Sequence, residues 1–210
     1  MASYPKPLTI QCTKNIIEQM ESSLYKINEN KEKFDIGFFI YIKNKNKKIS
    51  VFITNYHVTS HGYNNAIKVS LNNISTTIEF GDARCNNKEY GISLIEIKDS
   101  IKDKLNFFEI DDILFENNSE IYYEKDTMYA IYYNNKNNIV VSYDIINSIY
   151  DSGINYNCNT KNSNSTIFPI FNSFNNKIIG IQNHSNIHCN KGIFLKLIIK
   201  EFINTIVKNP

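Results

Sequence analysis

The 210-residue sequence predicts an all-β protein: two antiparallel lobes, each a β-barrel of the six-stranded type, with a helix at either end. Three observations predict it. Short runs rich in Ile, Val, Phe and Tyr recur along the chain with polar turns between them. Helical spacing of apolar residues is confined to the two ends. Between the two sets of strands, residues 98–120 are acidic and lose the alternation, which suits a connection between lobes.

The elements follow in order. Ile16, Ile17, Met20, Leu24 and Ile27 fall on one face of a helix over 13–28, with Thr13 as its N-cap. After a charged break, Gly37 to Ile42 and Ile49 to Thr54 flank a polar turn and read as a hairpin. Strands follow at 67–71, 76–80 and 92–97, then at 128–133, 139–143, 167–171, 177–181 and 192–195. Ile198, Ile199, Phe202, Ile203, Ile206 and Val207 give a closing amphipathic helix. The expected division is an N-terminal segment and helix at 1–33, a first barrel at 34–115, a second at 116–195 and a C-terminal helix at 196–210.

Composition excludes several classes. The chain is 42% hydrophobic and 13% aromatic, enough for a packed core. With 23 basic against 21 acidic residues the net charge is +2, no footprint for nucleic acid or an anionic membrane. No apolar run has the length of a membrane span, and the N-terminus lacks the core of a signal peptide, so a cytoplasmic protein is expected. Cys12, Cys85, Cys158 and Cys189 show no C-x-x-C pairing and are expected as reduced thiols. Asparagine is abundant and glycine scarce, 7 in all. That bias fits an AT-rich coding genome, and the asparagines are expected to be solvated loop residues.

Five stretches carry a resemblance. Gly37-Phe38-Phe39 looks like an entry strand. Thr54-Asn55-Tyr56-His57-Val58 looks like a T-N-x-H-V histidine motif. Gly91-Ile92-Ser93-Leu94-Ile95-Glu96-Ile97 looks like a D-I-x-L-I-x-I strand without its aspartate. Cys158-Asn159-Thr160 and Pro169-Ile170-Phe171-Asn172 look like the frame of a nucleophile loop. Ile178-Ile179-Gly180-Ile181 and Asn190 to Ile193 look like pocket-wall strands. Together, from about residue 8 to 205, they resemble the trypsin-like serine peptidases, most closely the intracellular versions of protists and large DNA viruses.

The resemblance implies a two-barrel fold with His57 as general base, and the departures from it imply lost catalysis. Gly91 stands at the acid position, where an aspartate would fix the imidazole tautomer and stabilise the imidazolium. Counting back from Pro169 puts the nucleophile at Thr166, and counting forward from Cys158 puts it at Ser165. Either way, Ser163 or Asn164 replaces the oxyanion-loop glycine, where inward-turned N–H groups favour glycine. Losing one oxyanion donor costs about 10²–10³ in rate, and losing the acid roughly 10⁴ in a serine protease. The expectation is a pseudoprotease acting as a binding or structural module, its partner a protein or extended peptide. The alternative is an active endopeptidase using His57 with Ser165 or Thr166 and a relocated acid, Glu89 or Asp82.

The remaining candidates have plainer readings. Cys158 lies too far before the elbow for a nucleophile. His184, His188 and Cys189 lack the paired spacing of a zinc site. His61 reads as a loop residue, and Tyr129, Tyr132 and Tyr133 as strand packing. No cofactor or metal is expected. The specificity position of the pocket would fall near Asn159 to Lys161.

Overall fold

The computed structural model describes residues 5–27, 34–44, 47–60, 65–150, 153–156, 163, 167–185 and 190–208, with side chains at 183–185, 190 and 208 excepted. The chain divides into two compact units. One comprises Glu21–Glu109 with Ile198–Pro210, and the other Met1–Met20 with Ile110–Leu197.

Helix α1 spans Ile10–Ser22. It starts earlier than its apolar spacing suggests because Thr9, not Thr13, is the cap: Thr9 Oγ1 accepts from the Cys12 amide at 3.1 Å. The end is earlier too. Leu24 and Ile27 keep helical spacing with Ile16, but Tyr25–Ile27 alternates buried and half-buried and pairs as strand β1. There Ile27 lies wholly inside a barrel core rather than on a helix.

Strands β2 (Asp35–Asn44) and β3 (Lys47–Asn55) form the predicted hairpin, with Gly37 opposite Thr54 and Ile42 opposite Ile49. A single turn of helix, α2 (Tyr56–Ser60), follows. Then come β4 (Ala66–Leu71), β5 (Ile74–Asn87) and β6 (Ile92–Ile97). The pairing runs β1-β4-β5-β6-β3-β2 and returns to β1, closing a six-stranded barrel. The two-residue strand β7 (Phe107–Phe108) adds parallel to β2 outside that circuit. Alternate residues of each strand point inward. The aromatic centre packs Tyr25 edge-on to Phe39 at 4.9 Å, and Phe39 on Phe52 at 4.8 Å.

The other unit holds β8 (Thr127–Tyr133), β9 (Ile139–Ile145), β10 (Ser148–Tyr150), β11 (Gly153–Tyr156), β12 (Phe168–Asn172), β13 (Ile178–Ser185) and β14 (Asn190–Phe194). Unlike the first barrel, it does not close into a circuit among the described residues. Its seven strands run in the order β10-β11-β14-β13-β12-β8-β9, a curled half-barrel ending at β10 on one side and β9 on the other. The curl has a local cause. β9 pairs with β8, but two residues later Asn147 donates to Asn155 O at 2.9 Å and the chain continues on β11. Helix α3 (Leu195–Lys208) closes the chain, burying Ile198, Ile199 and Phe202.

Tyr129, Tyr132 and Tyr133 are buried packing residues of β8, and Tyr129 stacks on Phe171 with centroids 4.9 Å apart. The asparagines do more than fill solvated loops. Among the described residues, Asn72, Asn73, Asn118, Asn137 and Asn176 all adopt a left-handed backbone, and Lys125 is the remaining non-glycine residue there. Asparagine tolerates that region because its short amide bonds locally. Asn176 also accepts from the buried Cys12 thiol at 3.1 Å, tying α1 to the β12–β13 turn.

Candidate active site

The hydrogen bonds that hold the histidine turn are made within the first barrel. β3 carries the chain inward to Thr54 and Asn55, both buried, and α2 then turns it so that His57 faces outward. Thr54 Oγ1 donates to Ile36 O at 2.8 Å, and Asn55 Nδ2 to Asp35 Oδ1 at 2.9 Å. These two residues of the T-N-x-H motif therefore fasten the end of β3 to the start of β2. Behind α2, Thr59 and the wholly buried Ser93 share a 2.8 Å hydrogen bond, and Ser93 Oγ donates to Asn86 Oδ1 at 2.8 Å. The histidine turn is thus anchored on β2, β5 and β6.

Gly91 stands beside that turn. Its carbonyl accepts from the Tyr56 amide at 2.8 Å, and it immediately precedes β6. Its φ of +67° is left-handed, and a Cβ built there would meet no atom within 4 Å. The space next to the histidine turn therefore holds neither a carboxylate nor a packed side chain from this position.

The carboxylate that does reach the imidazole is that of Asp35. His57 Nε2 lies 3.0 Å from its Oδ1 and 3.1 Å from its Oδ2. The histidine side chain is 58% exposed and the aspartate 24%. Neither sequence-level candidate for the relocated acid takes this place. Asp82 lines a pocket of about 520 Å³ with Lys47, Lys48, Glu96, Lys98 and Asp99. That pocket lies toward the Ile97 end of β6, whereas His57 lies toward the Ile92 end. Its three acids and three lysines leave it no charge preference. Glu89 sits on the exposed turn before Gly91.

Sequence reading missed Asp35, although the signal was present. Pairing Ile42 with Ile49 puts residue 35 across from residue 56, next to the histidine.

The nucleophile side is only partly on view. Ser163 is half-buried and bridges to Asn134. Asn164, Ser165, Thr166, Cys158, the Asn159 to Lys161 stretch, His61, His188 and Cys189 lie outside the described residues, as does the side chain of His184. Ile167 and Phe168 are buried, and Phe168 packs on Tyr132 at 5.1 Å. Among the described residues no three His, Cys, Asp or Glu side chains gather as a metal site, and Cys12 and Cys85 are free thiols. No helix among them is long and apolar enough to cross a membrane.

A closed barrel carrying a histidine turn, with a curled second lobe and terminal helices, is the two-lobe architecture of trypsin-like proteases. Among solved structures the chain is similar to Rv3671c of M. tuberculosis H37Rv, a serine-to-alanine mutant in inactive form, with a TM-score of 0.64 and 12% identity, covering 100% of this chain and 98% of that one. A second structure, of Rv3671c protease in inactive form, gives 0.61 and 12%, covering 99% and 98%. At that identity the likeness is one of fold. It lends nothing to the protist and large-virus affinity suggested by the motifs. Neither protein-family models nor curated protein sequences match the chain.

Proposed function

We propose that this protein is a catalytically inactive trypsin-like homologue that works by binding an extended peptide segment of a partner protein. The observation that carries the inactive reading is Gly91. The residue whose carbonyl meets the histidine turn has no side chain, so it cannot orient the ring or stabilise its charged form. The binding reading is supported by the open seven-stranded sheet, since strand addition uses backbone hydrogen bonds and needs no catalytic residues.

The Asp35–His57 contact favours a second reading, an active endopeptidase with a relocated acid. It is the weaker of the two. In a working triad the acid holds Nδ1–H and leaves Nε2 to take the nucleophile's proton, whereas Asp35 meets Nε2.

A fluorophosphonate probe separates the readings. The expected result is no labelling. Labelling at Ser165 that is lost in Ser165→Ala and in His57→Ala would overturn the inactive reading. The binding half is tested by panning the purified chain against a library of extended peptides. Selection of a consistent sequence class supports it, and no enrichment over a blank surface refutes it.

A further inference from the structure

We infer that Asp35 is a positioning residue that fixes the neutral His57 ring in the Nε2–H tautomer, the reverse of the form a trypsin-like base uses. The inference deepens the reading of His57 given above and rests on it, because it says what holds the ring once the acid position is empty.

The argument starts from the barrel. Asp35 opens β2, and its place is set by pairing on both sides: Ile27 of β1 is its partner on one side, and the β2–β3 register brings it to the histidine turn on the other. Its carboxylate is positioned independently of the imidazole by the Asn55 amide at 2.9 Å. Thr54 fixes the adjoining backbone through Ile36 O at 2.8 Å. The carboxylate is therefore a built acceptor before the ring arrives.

An ionised carboxylate only accepts hydrogen bonds. A nitrogen 3.0 Å and 3.1 Å from its two oxygens must therefore bear the proton. In a neutral imidazole only one nitrogen is protonated, so the lone pair falls on Nδ1. A triad needs the opposite assignment: Nδ1–H on the acid, and the lone pair on Nε2 facing the nucleophile. Asp35 thus occupies the nitrogen that the chemistry would require, and the barrel scaffold itself maintains the occupation.

The test reads the ring directly. Two-bond ¹H–¹⁵N spectra of uniformly labelled full-length protein, at a pH where the ring is neutral, distinguish a protonated from an unprotonated ring nitrogen. With four histidines in the chain, His57→Gln assigns the signal. In the wild type, Nε2–H should dominate. In Asp35→Ala, the Nε2–H to Nδ1–H ratio should fall on the order of tenfold, as expected for loss of a charge-assisted hydrogen bond. Asp35→Asn, whose amide oxygen can still accept, should fall between and covers the case in which the alanine variant does not fold. A wild-type ring in the Nδ1–H form, or a ratio unchanged in both variants, overturns the inference. Fluorophosphonate labelling of Ser165 would instead overturn the inactive reading while leaving the tautomer result standing, so the two failures are distinguishable.

Discussion

Substituting Gly91 by alanine and by asparagine separates two explanations for a glycine at the acid position. If the site were crowded, the larger asparagine would do more damage. If only the backbone matters, asparagine would do less, because it tolerates a left-handed φ better than alanine. The structure gives the second answer: φ is +67° and an added Cβ meets nothing within 4 Å. The steric contribution is then absent, and alanine costs only the left-handed penalty, about 1–2 kcal/mol. At 2–4 °C per kcal/mol for a chain of this size, melting should drop by roughly 2–8 °C. Asparagine should cost under about 1 kcal/mol, and aspartate, of similar shape, should be nearly as well accepted. Thermal unfolding followed by circular dichroism, with urea unfolding as a cross-check, measures both. An asparagine variant less stable than the alanine one, or a loss above about 3 kcal/mol in either, refutes the reasoning. Success would also mean that Gly91→Asp can return a carboxylate to this position without unfolding the barrel.

Two further predictions concern buried polar groups. The Lys196 ammonium is paired with Glu120 and donates to Ser119 Oγ at 3.0 Å, with side chains only 13% and 18% exposed. Lys196→Met should destabilise by about 3 kcal/mol by stranding the carboxylate, and Lys196→Met with Glu120→Leu should recover most of it, as read by urea unfolding. The Cys85 thiol is pushed up to about 11, first by burial and then by the Glu201 carboxylate. Its folded pKa lies above its unfolded one, so its contribution to stability is complete below about pH 9 and is lost as pH rises toward 11. Alkylation of Cys85 should therefore be slow at pH 8, and Glu201→Gln should shift its rate profile to lower pH.

Much of the fold was legible because apolar runs of strand length stood between polar turns. The hairpin of β2 and β3, strand β6, strand β8 and the closing helix all announced themselves in this way. What failed was local. Leu24 and Ile27 continue the helical spacing of Ile16 and Met20, and only the pairing of β1 with β2 and β4 decides for a strand. β10 and β11 carry too few apolar residues to stand out, so the corner that curls the second sheet was invisible. The histidine was legible as a motif, whereas Asp35 emerges only when the hairpin register is carried back from Ile42 and Ile49 to a partner 22 residues away. Gly91 could be read as a missing acid, but its left-handed backbone and the open space around it belong to the folded turn.

The asparagine turns change what a missing glycine means in this chain. Where many proteins spend a glycine on a left-handed corner, this one places asparagine at five of the six non-glycine positions of that kind among its described residues. A loop with Asn162 and Asn164 but no glycine has therefore not thereby lost access to such corners. Glycine counting, a sound index of an intact oxyanion loop elsewhere, is a poor gauge for this sequence. The weight of the inactive reading rests instead on the first barrel, where residue 91 has no Cβ from which a carboxylate could reach the histidine turn.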